Sequence, residues 1–416
     1  MLGAIADDFT GATDLATMLR RSGHRVAVLV NEDPAPRLRA EGTEDPMPEV
    51  DAVVTALKTR TVPAAEAVRR SLAALARLQR LGAERIYVKY CSTFDSTPQG
   101  NIGPVLDAIA AALGARGSVV VPSLPANGRT VRDGLLRVGE QLLEDSPMRH
   151  HPLTPMTASR VRDLLRPQTI HEVGEIGLRT VAAGADALRS ALDAAPEPYQ
   201  VLDAVTDEHL RIIAAATAGH RLVSGGSGLA LGIPGPGLVA DAWRPPAAGR
   251  RAVLCGSVSA RSLEQIAHAA RSQPVHVLDV TAAARDPRAA AQEAAAWVLA
   301  QDPAAIPVLC AARERSQVQA PRGGVDPAAV VETVLSQAAR LLVENGQVRA
   351  LLVAGGESSG AVVGALGVHS LHIGPEIAPG VCWSRAHARG ADLALALKSG
   401  NFGEPDMFTS AWEALA

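Results

Sequence analysis

The stretch LGAIADDFTGATDLATMLRRSG, residues 2–23, decides how the rest of the chain is read. Leu2–Ala6 is an apolar run too short for a helix and reads as a buried strand. Two carboxylates follow, then Gly11. Beyond them Leu15, Met18 and Leu19 fall at i, i+3 and i+4, which predicts a helix over Thr13–Ser22 with Gly23 as its C-cap. Strand, polar turn, helix is the opening of a β-α-β unit. The same rhythm continues with strands at Arg25–Val30, Asp51–Leu57, Arg85–Tyr90 and Ser118–Pro122, and helices at Pro63–Leu81 and Ile102–Leu113. That order predicts a mostly parallel sheet with helices on both faces. Gly128–Pro152 is polar and interrupts the rhythm, so it reads as an inserted arm. Helices resume at Thr157–Leu165 and Leu178–Ala194, and strands at Gln200–Val205 and Arg221–Ser224.

Gly232–Arg250 is rich in Gly and Pro and has linker composition. After it the alternation restarts. Strands are expected at Ala252–Cys255, Val275–Val280, Ala305–Ala311, Ala350–Val353, Ser370–Ile373 and Leu393–Leu397. Helices are expected at Arg261–Arg271, Pro287–Ala300, Asp326–Val343 and Ser358–Ala365. The fold class is therefore α/β in two domains, 1–240 and 250–416, each a mostly parallel sheet flanked by helices. No sequence repeat links the halves. Sites in such folds lie beyond the C-terminal strand ends, and the active site is expected in the interdomain cleft.

Composition narrows the function. The chain has 416 residues, 47% of them hydrophobic, enough for sizeable cores. Forty basic against 43 acidic side chains give a formal charge of −3, which argues against nucleic acid or an anionic membrane as a partner. No apolar run reaches the length of about 18 residues that a membrane span needs. The four cysteines form no CxxC pair, and sparse thiols without a leader-like segment point to a reducing cytoplasm.

Several strand ends carry polar residues. Asp7, Asp8 and Thr10 lie after the first strand, where they could hold hydroxyls, hold a cation through water, act as a base, or simply cap the helix. In the run Lys89–Asn101, a lysine, Asp95, hydroxyls including Ser96 and Thr97, and the Asn101 amide suit a small polyhydroxy acid. A Ser/Thr-rich loop bonding its own backbone is the plainer alternative. Cys91 has no assigned partner as a nucleophile. Gly355-Gly356-Glu357-Ser358-Ser359-Gly360 is a Gly-rich strand-to-helix turn that can admit phosphate, and it is no Walker A sequence. Gly256-Ser257-Val258-Ser259 and Lys398–Gly403 are similar turns. Ser224–Gly232 loosely mimics a dinucleotide fingerprint. His150-His151 reads as an exposed loop, and Phe408 with Trp412 as a packing stripe.

Taken together, ADDFTGATDLA, KYCSTFDSTPQGNIGPV, VPSLPANGRTV, MRHHPLTPM, GSVSARSLEQI, VAGGESSGAVVGALGV, GPEIAPGVCWSRA and LALKSGNFGEPDMF resemble the four-carbon acid sugar kinases over nearly the whole chain. The YCSTFDST form is similar to the 3-oxo-tetronate kinase branch. Branches acting on threonate or erythronate tend to carry lysines before the DST. The resemblance implies an N-terminal domain for the sugar acid and a C-terminal domain for ATP, with Mg²⁺. On the nucleotide side it implies Ser257, Ser259, the Gly355–Gly360 segment and Gly403. On the substrate side it implies Asp7, Asp8, Thr10, Lys89, Asp95, Ser96, Thr97, Asn101 and Arg129. Asp8 or Asp95 would take the proton. Metal ligands stay unassigned, and a homo-oligomer is compatible with the sequence. Threonate or erythronate kinase, nicotinamide-dependent oxidoreductase and nucleotide sensor are the competing functions.

Overall fold

A computed structural model describes residues 1–30, 50–150, 154–237, 243–246, 248–317, 326–344 and 347–415. The chain divides into two compact units, Met1–Ala240 and Asp241–Ala416.

The first unit follows the predicted alternation. β1 (Leu2–Ala6) leads through α1 (Phe9–Arg21) to β2 (Val26–Leu29) and β3 (Ala52–Ala56). Next come α2 (Ala64–Arg80), β4 (Arg85–Lys89), α3 (Ile102–Leu113) and β5 (Ser118–Val121). The arm is a small antiparallel sheet of β6 (Arg129–Arg132), β7 (Leu135–Val138) and β8 (Gln141–Leu142). Its first hairpin turns at Asp133-Gly134, both with positive φ, the conformation that Asp-Gly favours in tight hairpins. Then follow α4 (Val161–Leu165), β9 (Val173–Ile176), α5 (Leu178–Ala182), α6 (Ala185–Ala194), β10 (Tyr199–Leu202), α7 (Asp207–Ala216) and β11 (Leu222–Gly225). The expected helix over Leu178–Ala194 is split, because Gly184 takes φ +105° between α5 and α6. The expected helix over Thr157–Leu165 shrinks to α4. The buried Asp203 carboxylate accepts the N–H groups of Asp133, Gly134 and Leu178 at 2.7–2.9 Å, tying the hairpin tip to the start of α5.

The large sheet of this unit runs β2-β3-β1-β4-β11-β5-β10-β9, and every pairing in it is parallel. Strands buried on both faces read as unbroken apolar runs, as AVVTA and SVVV do here. Helices and sheet close over a core that includes Ile5, Val53, Leu78, Ile86, Leu106, Ile109 and Tyr199.

In the second unit the elements are β12 (Arg250–Cys255), α8 (Ala260–Ala269), β13 (Val275–Val277), α9 (Val280–Ala283), α10 (Pro287–Ala300) and β14 (Val308–Cys310). They continue with α11 (Pro327–Glu344), β15 (Val348–Ala354), α12 (Gly356–Leu366), β16 (Ser370–Ala378), β17 (Val381–Ala388), β18 (Ala391–Lys398) and α13 (Met407–Ser410). β17 is absent from the sequence-based expectation. Strands β13-β14-β12-β15-β18 are parallel, while β18, β17 and β16 pair antiparallel as a meander. Phe408 and Trp412 pack into the core with Trp383, as a packing stripe should. The stretch Arg313–Gly324 and the linker at Gly232–Arg250 are described only in part, and the His150-His151 side chains lie outside the described residues.

The two units share a winding that the sequence does not advertise. β2-β3-β1-β4 and β13-β14-β12-β15 are the same order, two strands laid to one side of the first and the fourth to the other. Each therefore has a crevice beside its first strand where the chain changes direction. Such crevices at C-terminal strand ends are where α/β proteins bind ligands.

Candidate active site

In the first unit the crevice collects residues from adjacent strands β3, β1, β4 and β11. Asp8 is the N-cap of α1 and accepts the Gly11 N–H at 2.9 Å, so the plain capping role is real. It does more than cap. Its other oxygen accepts from Thr10 Oγ1 at 2.8 Å, and Arg60 Nη2 donates to Asp8 Oδ1 at 2.8 Å. The same guanidinium grips Asp7 with two bonds of 2.9 Å, from Nε and Nη2. Burial pushes the Asp8 carboxyl up, but Arg60, Lys89, Thr10 and the Gly11 N–H outweigh it and hold it below the usual range. Burial also opposes the Arg60 charge, and Asp7 and Asp8 outweigh that in turn.

Arg60 was not singled out from the sequence. It sits in the β3–α2 turn, where Thr59 and Arg60 N–H groups both donate to Asp7 O. Asn101 explains why that turn stays in place. Its buried amide donates to the carbonyls of Thr59 at 2.7 Å, Val62 at 3.0 Å and Arg60 at 3.4 Å. Asn101, expected as a substrate ligand, spends its side-chain N–H groups on the Arg60 turn.

Lys89 ends β4, 4% exposed, with Nζ donating to Tyr90 O at 2.9 Å. A Cβ on Gly11 would lie 3.0 Å from that Nζ, so α1 passes directly over the ammonium. Asp14, one turn into α1, has a buried oxygen without a hydrogen-bond partner among the described residues, as has Ser227 after β11. Burial raises the Asp14 carboxyl, with the Lys89 charge tempering the shift.

The loop after β4 is tightly made. Phe94 takes φ +54°, uncommon for a bulky residue, and packs edge-on against Tyr90 with centroids 5.3 Å apart. That turn brings Asp95 round to accept from Thr93 Oγ1 at 2.5 Å. Ser96 donates to Gln168 Oε1 at 3.1 Å, which also takes the Ile102 N–H. So Ser96 and Gln168 fix the start of α3, and Gln168 left no sequence signal beyond its polarity. Thr97 is half-buried, its carbonyl turning back to Gly100 N–H. Burial pushes the Cys91 thiol up to about 11, which fits a bystander better than a nucleophile. Arg129 opens β6 and donates to Asn127 O.

Glycines at the β11 end have a packing reason. A Cβ on Gly226 or Gly228 would fall 2.6 and 2.5 Å from the Pro122 and Ser123 carbonyls. A 3₁₀ turn at Gly228–Gly232 follows, with no α-helix to face a pyrophosphate. The dinucleotide likeness of Ser224–Gly232 is thereby accounted for as close turn packing.

In the second unit three turns meet at the ends of β12, β15 and β18. Ser259 caps α8, accepting the Ser262 N–H, and its hydroxyl donates to Gly400 O at 2.7 Å. Gly355 takes φ +120°, a value open to glycine, and a Cβ there would sit 3.2 Å from Ser257 N. A Cβ on Gly400 would meet Ser257 Oγ at 2.4 Å. Of the segment expected as a phosphate loop, only Gly355 is a turn. Gly356 through Gly360 already form the first turn and a half of α12, with Glu357 exposed and Ser358 and Ser359 buried. What this corner offers an anion is a helix N-terminus behind a glycine turn. Gly403 closes the β18 turn at φ +81°, where a Cβ would strike the Met407 side chain. Among the described residues no group of three or more His, Cys, Asp or Glu is placed to hold a metal, and no helix is long and apolar enough to cross a membrane.

A crevice lined by acids with paired cations, and a second built of serine and glycine turns, define a protein that handles a polar small molecule and an anion. Comparison with known proteins sharpens this. Residues 2–233 match a family model described as a sugar-binding N-terminal domain, and 252–408 one described as a nucleotide-binding C-terminal domain. A Salmonella typhimurium protein named 3-oxo-tetronate kinase is 42% identical, covering 99% of this chain and 98% of its own. A Cupriavidus necator protein of that name is 43% identical, covering 100% and 97%. A solved Salmonella typhimurium LT2 structure superposes with TM-score 0.89 at 41% identity, over 99% of this chain and 98% of the other. A Haemophilus influenzae structure gives 0.81 at 35% identity over all of both chains. The chain belongs to the four-carbon acid sugar kinase family, in its 3-oxo-tetronate kinase branch.

Proposed function

We propose that this protein transfers the γ-phosphoryl group of ATP to the C4 hydroxyl of 3-oxo-tetronate, giving 3-oxo-tetronate 4-phosphate and ADP. The observation that carries the reading is identity of about 42% over nearly the full length to proteins named for that reaction. The first unit binds the sugar acid and the second binds ATP, which arrives as its Mg²⁺ complex. Mg²⁺ prefers phosphate oxygens, waters and one or two carboxylates to an all-protein cage, so the lack of a ligand cluster among the described residues fits a metal carried in by the nucleotide.

Phosphoryl transfer needs positioning and charge neutralisation more than covalent help. The bond from C4 oxygen to γ-phosphorus forms as the bond from that phosphorus to the β–γ bridging oxygen breaks. The hydroxyl proton goes to a carboxylate. Asp8 has its oxygens filled by Arg60, Thr10 and Gly11, and its proton affinity is lowered. Asp95 accepts a single side-chain bond, from Thr93, and is the better acceptor. Lys89 and Arg60 supply the positive charge for the substrate carboxylate. On the nucleotide side, Ser257, Ser259, Gly355, Gly403 and the first-turn amides of α12, Gly356 to Ser358, form the phosphate corner, while the Ser359 N–H is held by Gly355 O within the helix. The cytoplasm supplies ATP and keeps the four free cysteines reduced.

ADP release with Mg-ATP and a panel of threonates, erythronates and their 3-oxo derivatives tests this. Turnover confined to a 3-oxo acid is expected. Turnover on threonate or erythronate alone would keep the kinase and overturn the substrate.

A further inference from the structure

Lys398 is a lysine with no exposed surface, at the end of β18. Its Nζ donates to Gly400 O at 3.1 Å and to Ser262 Oγ at 3.3 Å, and sits 5.7 Å from the centre of the Phe408 ring. Gly400 O is the hub of this corner. It also accepts from Ser259 Oγ at 2.7 Å and Ser262 Oγ at 3.0 Å. Three donors on one carbonyl, two of them from the N-cap and first turn of α8, fix that peptide plane. In a trans peptide the C=O and the following N–H point opposite ways. With the Gly400 carbonyl drawn inward, the Asn401 N–H points outward. Asn401 is exposed, and its N–H has no acceptor among the described residues. It lies on the turn that touches Ser257, beside Gly355.

A buried ammonium is costly to desolvate, and an apolar side chain of the same length would fill the space without that cost. The charge therefore needs a purpose beyond packing. We propose that Lys398 is a positioning residue for the phosphates of the bound nucleotide: it holds the Gly400 carbonyl inward, so aiming the Asn401 N–H at the phosphate corner, and sets a positive charge behind it. This rests on the reading of the second unit as the ATP-binding one.

Burial lowers the Lys398 ammonium to about 8, with Cys255 on β12 working against the shift and Arg261 on α8 adding to it. Burial pushes the Cys255 thiol up to about 11, so that group stays neutral where Lys398 titrates. Ser262 and Gln265 on α8 and Phe408 on α13 do not titrate. The ammonium is present below about pH 8 and lost above it. Nucleotide affinity then falls as the pH rises through that value.

Calorimetric titration of the full chain with Mg-ADP and Mg-ATP, at about pH 7 and about pH 9.5, tests the proposal. Wild type is expected to bind about tenfold more weakly at the higher pH, the size of one charge-assisted contact. Lys398→Met is expected to bind about tenfold more weakly at the lower pH, to lose the pH dependence, and to keep the KM for the sugar acid. Wild-type affinity with wild-type pH dependence in that variant would overturn the role of Lys398. Wild type that binds no nucleotide at either pH would overturn the reading of the second unit itself. Should Lys398→Met not fold, Ser262→Ala removes one donor to Gly400 and one partner of Lys398. Nucleotide binding weakened about threefold is then expected, and unchanged binding overturns the proposal.

Discussion

Arg60 donates to Asp8 at 2.8 Å although 52 residues separate them, and that bond decides what Asp8 can do. A carboxylate so held is a fixed negative charge rather than a proton acceptor. Its folded-state pKa lies below that of an ordinary aspartate, so the stability from this pairing is complete above the ordinary value and is lost as the pH falls through the folded one. Arg60→Met should cost about 2 kcal/mol of stability, between the figures for exposed and buried pairs. It should lower kcat/KM for the sugar acid at least about 100-fold. With Arg60 gone, burial acts on Asp8 with less opposition, and the acid limb of the pH–rate profile should move to higher pH. A limb that stays put would separate Asp8 from the rate.

Asp95→Asn should remove most turnover and leave ATP affinity nearly intact. Comparing kcat with calorimetric ATP binding checks it. Loss of ATP binding would take Asp95 out of the role of base.

Asn101→Ala should act at a distance. It unpairs carbonyls of Thr59, Arg60 and Val62. About 2 kcal/mol of stability is expected to go, with a raised KM for the sugar acid and an unchanged KM for ATP. Denaturant unfolding beside steady-state kinetics measures both. A rise confined to the ATP KM would contradict the positioning described for the Arg60 turn.

Gly355→Ala places a Cβ 3.2 Å from Ser257 N on a backbone at φ +120°. Strain of about 1–3 kcal/mol is expected at that turn. Weaker ATP binding by about tenfold or more should follow, with the sugar-acid KM unmoved. An equal rise in both would mean the whole unit had been destabilised.

The parallel cores were legible because doubly buried strands such as AVVTA and helices with i, i+3, i+4 spacing leave strong local signals. Asp8, Lys89 and the Gly355 turn were noticeable because they stand at or just beyond the ends of such strands. Arg60 shared that position, after AVVTAL, but one arginine in a short turn forms no motif. Only the parallel register of β1 with β3 brings it to Asp7 and Asp8. Asn101 was noticed for its chemistry, but its bonds to the Arg60 turn were not legible, since nothing local says that an amide faces backbone carbonyls some 40 residues earlier. Gln168 and β17 were missed for the related reason that their partners are tertiary. Gly360 was grouped with a loop because Gly, Ser and Glu look alike in a turn and in a helix first turn.

The Asp203 contacts bear on how the protein ages. An Asp-Gly step isomerises when the glycine nitrogen attacks the preceding side-chain carboxyl and closes a succinimide ring. Asp133-Gly134 is such a step. Asp203 holds the Gly134 N–H at 2.9 Å and the Asp133 N–H at 2.7 Å, so the attacking nitrogen is not free to turn toward its neighbour. The folded chain thus shelters one of its most chemically fragile bonds, and unfolding alone exposes it to slow conversion into isoaspartate.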